Sequence, residues 1–128
     1  MSIIEPAAAV RFGRRSTRLG GRMGLLDIVP TELPGTFRLV GELDISNVKQ
    51  LQARLEEELR LGHQLTLDMS ELSFMDSQGL RMLIVLGEQA AANRSAISIL
   101  NCSKVVQRVL DISVPKGIPG VKVLKPDI

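Results

Sequence analysis

Hydrophobic and polar residues alternate in two short stretches, "LLDIV" (Leu25 to Val29) and "TFRLVGEL" (Thr36 to Leu43), and Pro34 and Gly35 mark a turn between them. Two β-strands paired antiparallel are expected. The period then lengthens. Val48, Leu51, Leu55 and Leu59 recur at helical spacing, with Ser46 or Asn47 ahead of them as a cap and Gly62 behind them as a stop. This predicts an amphipathic helix to about Leu61, with Glu56 and Arg60 on its polar side. "QLTLDM" (Gln64 to Met69) reads as a short strand, "SELSFMDSQG" as the loop after it, and Ser77 to about Asn93 as a second helix. A strand, "AISILN" (Ala96 to Asn101), precedes a helix opened by Ser103, whose apolar stripe is Val105, Val106, Val109 and Leu110. "VKVL" (Val121 to Leu124) closes the series as a strand.

From Thr36 onward, strand and helix alternate four strands deep. Each helix carries the chain back across the sheet in a right-handed crossover, so the pairing is largely parallel and the fold class is α/β, with the first hairpin as an antiparallel addition. In such sheets the functional surface lies beyond the carboxyl ends of the strands. The segment after "QLTLDM" occupies that position. In the helix that follows, Leu80, Leu83, Ile84, Gly87 and Ala91 can face the sheet, while Met82, Val85 and Leu86 widen the apolar surface beyond one stripe. Met82, a flexible thioether, is the residue expected to be exposed for a partner.

Composition narrows the function classes. Aromatic residues make up 2% of the 128-residue chain, with no Trp and no Tyr, so base-stacking platforms are lacking and direct nucleic-acid reading is not expected. The net charge of +2 is uneven: residues 1–24 carry Arg11, Arg14, Arg15, Arg18 and Arg22 against Glu5, a balance of +4, and the remainder sums to −2. Residues 1–23 are therefore read as a flexible basic N-terminal extension and 24–128 as one domain, with Met23 as an alternative natural start. Cys102 is the single cysteine, which leaves no intramolecular disulfide and suits a reducing cytoplasm. The apolar run Leu80 to Leu86 is interrupted by Arg81 and is too short to span a membrane. A Gly-rich phosphate loop and a metal-ligand cluster are both missing, and the only histidine, His63, lies outside the Ser77 segment. No enzyme activity and no cofactor are expected. His63 reads as an imidazole at a helix end, either solvated or favoured there by the negative end of the helix dipole, and Cys102 as a small core residue.

Two segments carry more specific information: "GELDIS" (Gly41 to Ser46) and "LTLDMSELSFMDSQGLRML" (Leu65 to Leu83). Together they resemble the signature segments of the STAS domain in its bacterial form, the anti-sigma-factor antagonist, and the resemblance extends over Leu25 to Leu124. It implies a single domain built on a mixed, mostly parallel sheet of about five strands with helices packed on one side. It also implies a partner switch. The unphosphorylated form binds an anti-sigma factor that is a serine kinase and so frees a sigma factor, phosphorylation at Ser77 abolishes binding, and a serine phosphatase reverses the modification. Asp44, Asp68, Asp76, Gln78, Arg81 and Met82 join Ser77 as the expected partner contacts, Gln78 standing where many relatives have Ser or Ala.

Locally, Ser77 or Asp76 can cap the helix, and capping leaves the Ser77 hydroxyl at the surface. A phosphate there adds about −1.5 to −2 charge, beside the expected neighbours Asp76 and Glu71, at a face that docking must desolvate. A STAS subunit of a lipid-transport ABC complex, or of a stress-signalling assembly, is the alternative that the same resemblance leaves open.

Overall fold

The computed structural model describes residues 17–20 and 25–124. Strands β2 (Leu25–Pro30) and β3 (Thr36–Leu43) form the expected hairpin, with Leu26 opposite Gly41 and Ile28 opposite Leu39. Leu26, Ile28, Phe37 and Leu39 are buried on one face of it, as a two-residue period requires. Ahead of the hairpin, β1 (Thr17–Gly20) pairs antiparallel with β2. These four residues belong to the segment read as a flexible extension, which the structure corrects: Arg18 donates from Nε and Nη2 to Asp27 at 2.9 and 3.2 Å, fixing a strand at the sheet edge. The rest of the extension, Met23 included, lies outside the described residues.

After β3 the chain runs through α1 (Val48–Arg60), β4 (Leu65–Met75), α2 (Ser77–Ala92), β5 (Ile97–Leu100), α3 (Lys104–Ser113) and β6 (Val121–Leu124). The six strands lie in chain order across the sheet, antiparallel from β1 to β3 and parallel from β3 to β6. Consecutive right-handed crossovers between adjacent strands put all three helices on one face. Burial agrees: Leu65, Leu67 and Met69 of β4 and Ile97 and Ile99 of β5 are sealed from solvent, while Thr66, Asp68, Ser98 and Leu100 between them are only half-buried. The sheet has six strands because β1 adds to the five expected.

Two elements depart from the periodicity of the sequence. The "SELSFM" segment is not a loop. It prolongs β4 to eleven residues along β3, with register shifts between Arg38 and Val40 and between Gly41 and Glu42 that each insert one extra residue into β4. In α2 the buried face is Gly79, Met82, Leu83, Leu86, Gly87 and Ala90, rotated from the stripe expected, and Ala91 is exposed. Glycine sets this phase. A Cβ on Gly87 would stand 2.4 Å from the Pro119 carbonyl oxygen, so only bare backbone fits at that point, and one on Gly79 would press on the Met75 and Leu43 side chains, 2.6 Å from Met75 Cγ. Met82 lies at the middle of this stripe, 1% exposed, and the expectation that it is exposed fails.

Helix α1 buries Val48, Leu51, Leu55 and also Glu58. The Glu58 carboxylate accepts from Arg54 Nη1 at 2.7 Å and lies 2.7 Å from His63 Nδ1. Burial alone would raise its pKa, but the hydrogen bonds from His63 and Arg54, with their charges, outweigh burial and hold the carboxyl below its ordinary value. His63 therefore has a definite partner rather than a purely solvated ring.

Candidate functional site

The end of β3 and the end of β4 lie side by side, Leu43 opposite Met75. Each strand turns there into its helix, and the two corners are tied by the Asp76 N–H donating to the Leu43 carbonyl at 3.2 Å. In the first corner the Asp44 carboxylate accepts from the Ser46 N–H at 2.9 Å and from the Ser46 hydroxyl. Asn47, wholly buried at the N-cap position of α1, uses its side chain backwards: Oδ1 accepts from the Asp44 N–H at 3.1 Å and Nδ2 donates to the Glu42 carbonyl at 2.9 Å. An amide suits this place because it supplies one acceptor and one donor to a corner closed to water. The Asn47 side chain thus fastens the turn rather than capping the helix. It is a positioning residue, and the expectation that a Ser46 or Asn47 side chain caps this helix is corrected: no side-chain cap hydrogen bond is made there.

In the second corner Asp76 is the N-cap of α2. Its Oδ1 accepts from the Gln78 and Gly79 N–H groups at 2.9 and 3.2 Å, which satisfies two of the free donors of the first turn. Ser77 is then the first residue of the helix rather than its cap. It is exposed, and its hydroxyl has no hydrogen-bond partner among the described residues. The division of labour is simple: the carboxylate holds the helix and the hydroxyl faces solvent.

The remaining expected contacts divide. Gln78 and Arg81 line a cleft of about 370 Å³ between the first turns of α1 and α2, together with Ile45, Val48, Lys49, Gln52, Met82 and Val85. Met82 contributes there from a buried position. Asp44, 5% exposed, has its carboxylate engaged by Ser46, so its place in the site is to shape the corner and not to present a surface. Asp68 is not at the site. It sits on the open face of the sheet and accepts from the Ser70 N–H at 2.9 Å, and the five steps along β3 from its partner Arg38 to Leu43, the partner of Met75, span about 17 Å at about 3.3 Å per residue. Glu71 is likewise absent from the neighbourhood of Ser77, being drawn to Arg38 at 3.6 Å across the sheet. Both departures have one cause, the continuation of β4 as a strand, which spreads along its length residues that a compact loop would have gathered.

Two hydrophobic side chains widen the exposed rim that sequence reasoning left out. Ile45, between the two residues of the Asp44–Ser46 contact, is 60% exposed, and Phe74 on the bulged part of β4 is 45% exposed. Cys102 and His63 stand apart. The Cys102 thiol is half-buried and its pKa is pushed up to about 11, first by burial and then by Asp111, which makes it a poor nucleophile. His63 follows the far end of α1, roughly 20 Å from the cleft by the length of the helix. No group of three or more His, Cys, Asp or Glu among the described residues is arranged to hold a metal.

A mixed sheet with its helices on one face, and paired strand-to-helix corners bearing "GELD" and "MDSQG", define a STAS domain. The sequence model of the STAS domain matches residues 26–114, and the chain belongs to that family. A STAS-domain containing protein of Pseudomonas aeruginosa (strain UCBPP-PA14) is 27% identical over 78 residues, which cover 61% of this chain and 77% of that protein. Among solved structures, the anti-sigma factor antagonist SpoIIAA in its unphosphorylated form superposes with a TM-score of 0.62 at 21% identity, covering 80% of this chain and 88% of that one. A proposed anti-sigma factor antagonist of Thermotoga maritima superposes with the same score and identity, covering 75% and 83%. At this identity the two structures establish a shared fold. No described helix is long and apolar enough to cross a membrane.

Proposed function

We propose that this protein is an anti-sigma-factor antagonist whose association with an anti-sigma factor of the serine-kinase type is controlled by phosphorylation of Ser77. The observation that carries the reading is the exposed hydroxyl of Ser77, without a hydrogen-bond partner among the described residues, one residue before the cleft-lining Gln78 and directly after a carboxylate that already caps the helix. A kinase can reach such a hydroxyl without opening the fold. Phosphate on it brings close to two negative charges next to Asp76, at a surface that a partner must desolvate, and burying an uncompensated charge costs several kcal/mol. Helix α2 keeps its cap throughout, so the modified domain stays folded and only docking is lost. A serine phosphatase acting on Ser77 would restore it.

The reading draws support from family membership and from the fold shared with SpoIIAA. It is tested by phosphosite mass spectrometry of protein from its own cells, together with affinity capture by wild type, Ser77→Ala and Ser77→Asp. Ser77→Ala should retain the kinase-type partner and Ser77→Asp should lose it. Equal capture by both variants, or recovery of an ATPase with a permease instead of a kinase, would exclude the switch.

A further inference from the structure

We infer that the α1–α2 cleft receives an acidic, aliphatic segment of the partner, held between Lys49 and Arg81; the inference rests on the reading of this face as the docking surface and specifies what fits it. The cleft is built from one element of each corner. Ile45, 60% exposed, and Val85 and Met82 supply its apolar lining, Gln52 and Gln78 are neutral, and the charges on its walls are both positive. The lining holds no carboxylate. Helix α1 treats its other cations differently, whereas Lys104 and Arg108 of α3, like Lys49 and Arg81, have no ion pair among the described residues. On α1, Arg54 donates to Glu58 at 2.7 Å and Arg60 pairs with Glu57, each supplied with an acid one turn away. Lys49 has Ile45, Ser46, Gln52 and Ala53 at the three- and four-residue spacings, and Arg81 has Ser77, Gln78, Ile84 and Val85. Both are exposed, and neither has an ion pair among the described residues. An apolar cleft whose walls carry two cations and no carboxylate is complementary to an aliphatic anchor flanked by carboxylates.

The same geometry gives phosphorylation a second mode of action. A phosphate on Ser77 stands one turn before Arg81, the order in which an anion and a cation at i and i+4 attract each other along a helix. Modification would provide Arg81 with a partner inside its own helix and lower the cleft's attraction for an acidic segment.

The test uses the full chain, isotope-labelled, titrated with two synthetic helical peptides of identical leucine spacing, one carrying Glu at its polar positions and the other Lys. Expected are amide shifts at Ile45, Lys49, Gln78, Arg81 and Val85 with the Glu peptide, and binding by the Lys peptide weaker by at least about tenfold. The Lys49→Glu/Arg81→Glu variant, its fold checked in the same spectra, should reverse that preference. Equal binding of the two peptides, shifts elsewhere on the surface, or no shifts with either overturns the inference. The two proposals fail separately. If the double reversal leaves capture of the anti-sigma partner intact while Ser77→Asp abolishes it, the acidic-segment inference falls and the switch stands; if the peptide preference holds while Ser77→Ala and Ser77→Asp capture equally, the switch falls alone.

Discussion

Strand β4 has two halves built on different rules. From Thr66 to Asp68 it is paired on both sides, with β3 and with β5, and from Leu65 its side chains alternate strictly between the core and the open face. From Ser70 to Met75 it keeps only β3 as a neighbour, in a ladder interrupted by two register shifts. The buried positions there, Leu72 and Met75, are three apart, and Ser70, Glu71, Ser73 and Phe74 are exposed. Where β5 has ended, the start of α3 takes over its edge: the Ser103 N–H donates to the Met69 carbonyl at 3.2 Å and the Ser103 hydroxyl to the Leu72 carbonyl at 2.7 Å. Backbone groups near the core must find partners, and a serine side chain serves where a strand no longer does. The regular half is a structural member of the sheet. The bulged half is a projection that carries Asp76 and Ser77 to the rim.

The largest expected effect tests that contrast. Leu67→Ala in the regular half and Leu72→Ala in the bulged half should each lower the unfolding free energy in urea by about 2–5 kcal/mol, because both side chains are fully buried. Ser73→Ala, at an exposed side chain whose hydroxyl donates to the Gly41 carbonyl at 3.0 Å, should cost no more than about 1 kcal/mol. Uninterrupted alternation along β4 would reverse the order of Leu72 and Ser73, so a costly Ser73→Ala with a mild Leu72→Ala would refute the bulges. Next, Asp76→Ala should cost about 1 kcal/mol in the same measurement by stripping the cap from α2.

A smaller effect concerns the opposite end of the helical layer, at Glu58. Its pKa is lowered in the folded state, so the stability it confers is present above the unfolded carboxylate value and is lost as pH falls through the folded one. Glu58→Gln should therefore flatten the acid limb of a stability-against-pH curve, and an unchanged limb would show that the Arg54 and His63 contacts contribute nothing. The smallest effect is expected at Ser77 itself. Ser77→Ala should leave stability within about 0.5 kcal/mol of wild type, since Asp76 and not Ser77 does the capping. A clear loss of stability in that variant would mean that the hydroxyl is part of the fold's hydrogen bonding and not free for modification.

Particular residues show how far the chain can be read without its structure. The alternation at Leu26, Ile28, Phe37 and Leu39 placed the hairpin, and Val48, Leu51 and Leu55 placed the buried side of α1. The Asp76–Ser77 pair was legible as a helix start, though not which of the two capped it: both have suitable oxygens, and only the backbone geometry assigns Asp76 to the cap. The phase of α2 was misjudged because hydrophobicity counts glycine as nearly neutral. Gly87, already on the expected stripe, meets the Pro119 backbone, and Gly79, eight residues earlier and packed on the Met75 and Leu43 side chains, was the further signal for the inward side. Asn47 was legible as a cap candidate but not as the buried fastener of the turn, and Glu58 looked like an ordinary polar residue; their burial depends on Asp44, Glu42, Arg54 and His63 meeting them in space. Thr17–Gly20 gave no periodic signal, since four residues with one apolar side chain are too short to show one.

The amino-acid order alone determined the kinds of element, their succession and hence the α/β class, because side-chain period and chain-end chemistry act between near neighbours. Tertiary structure decided which side of α2 is inward, where β4 bulges, that Asp68 and Glu71 stand away from Ser77, and that Lys49 and Arg81 share one cleft. These outcomes depend on residues distant along the chain competing for the same space, and no local pattern encodes the result of that competition.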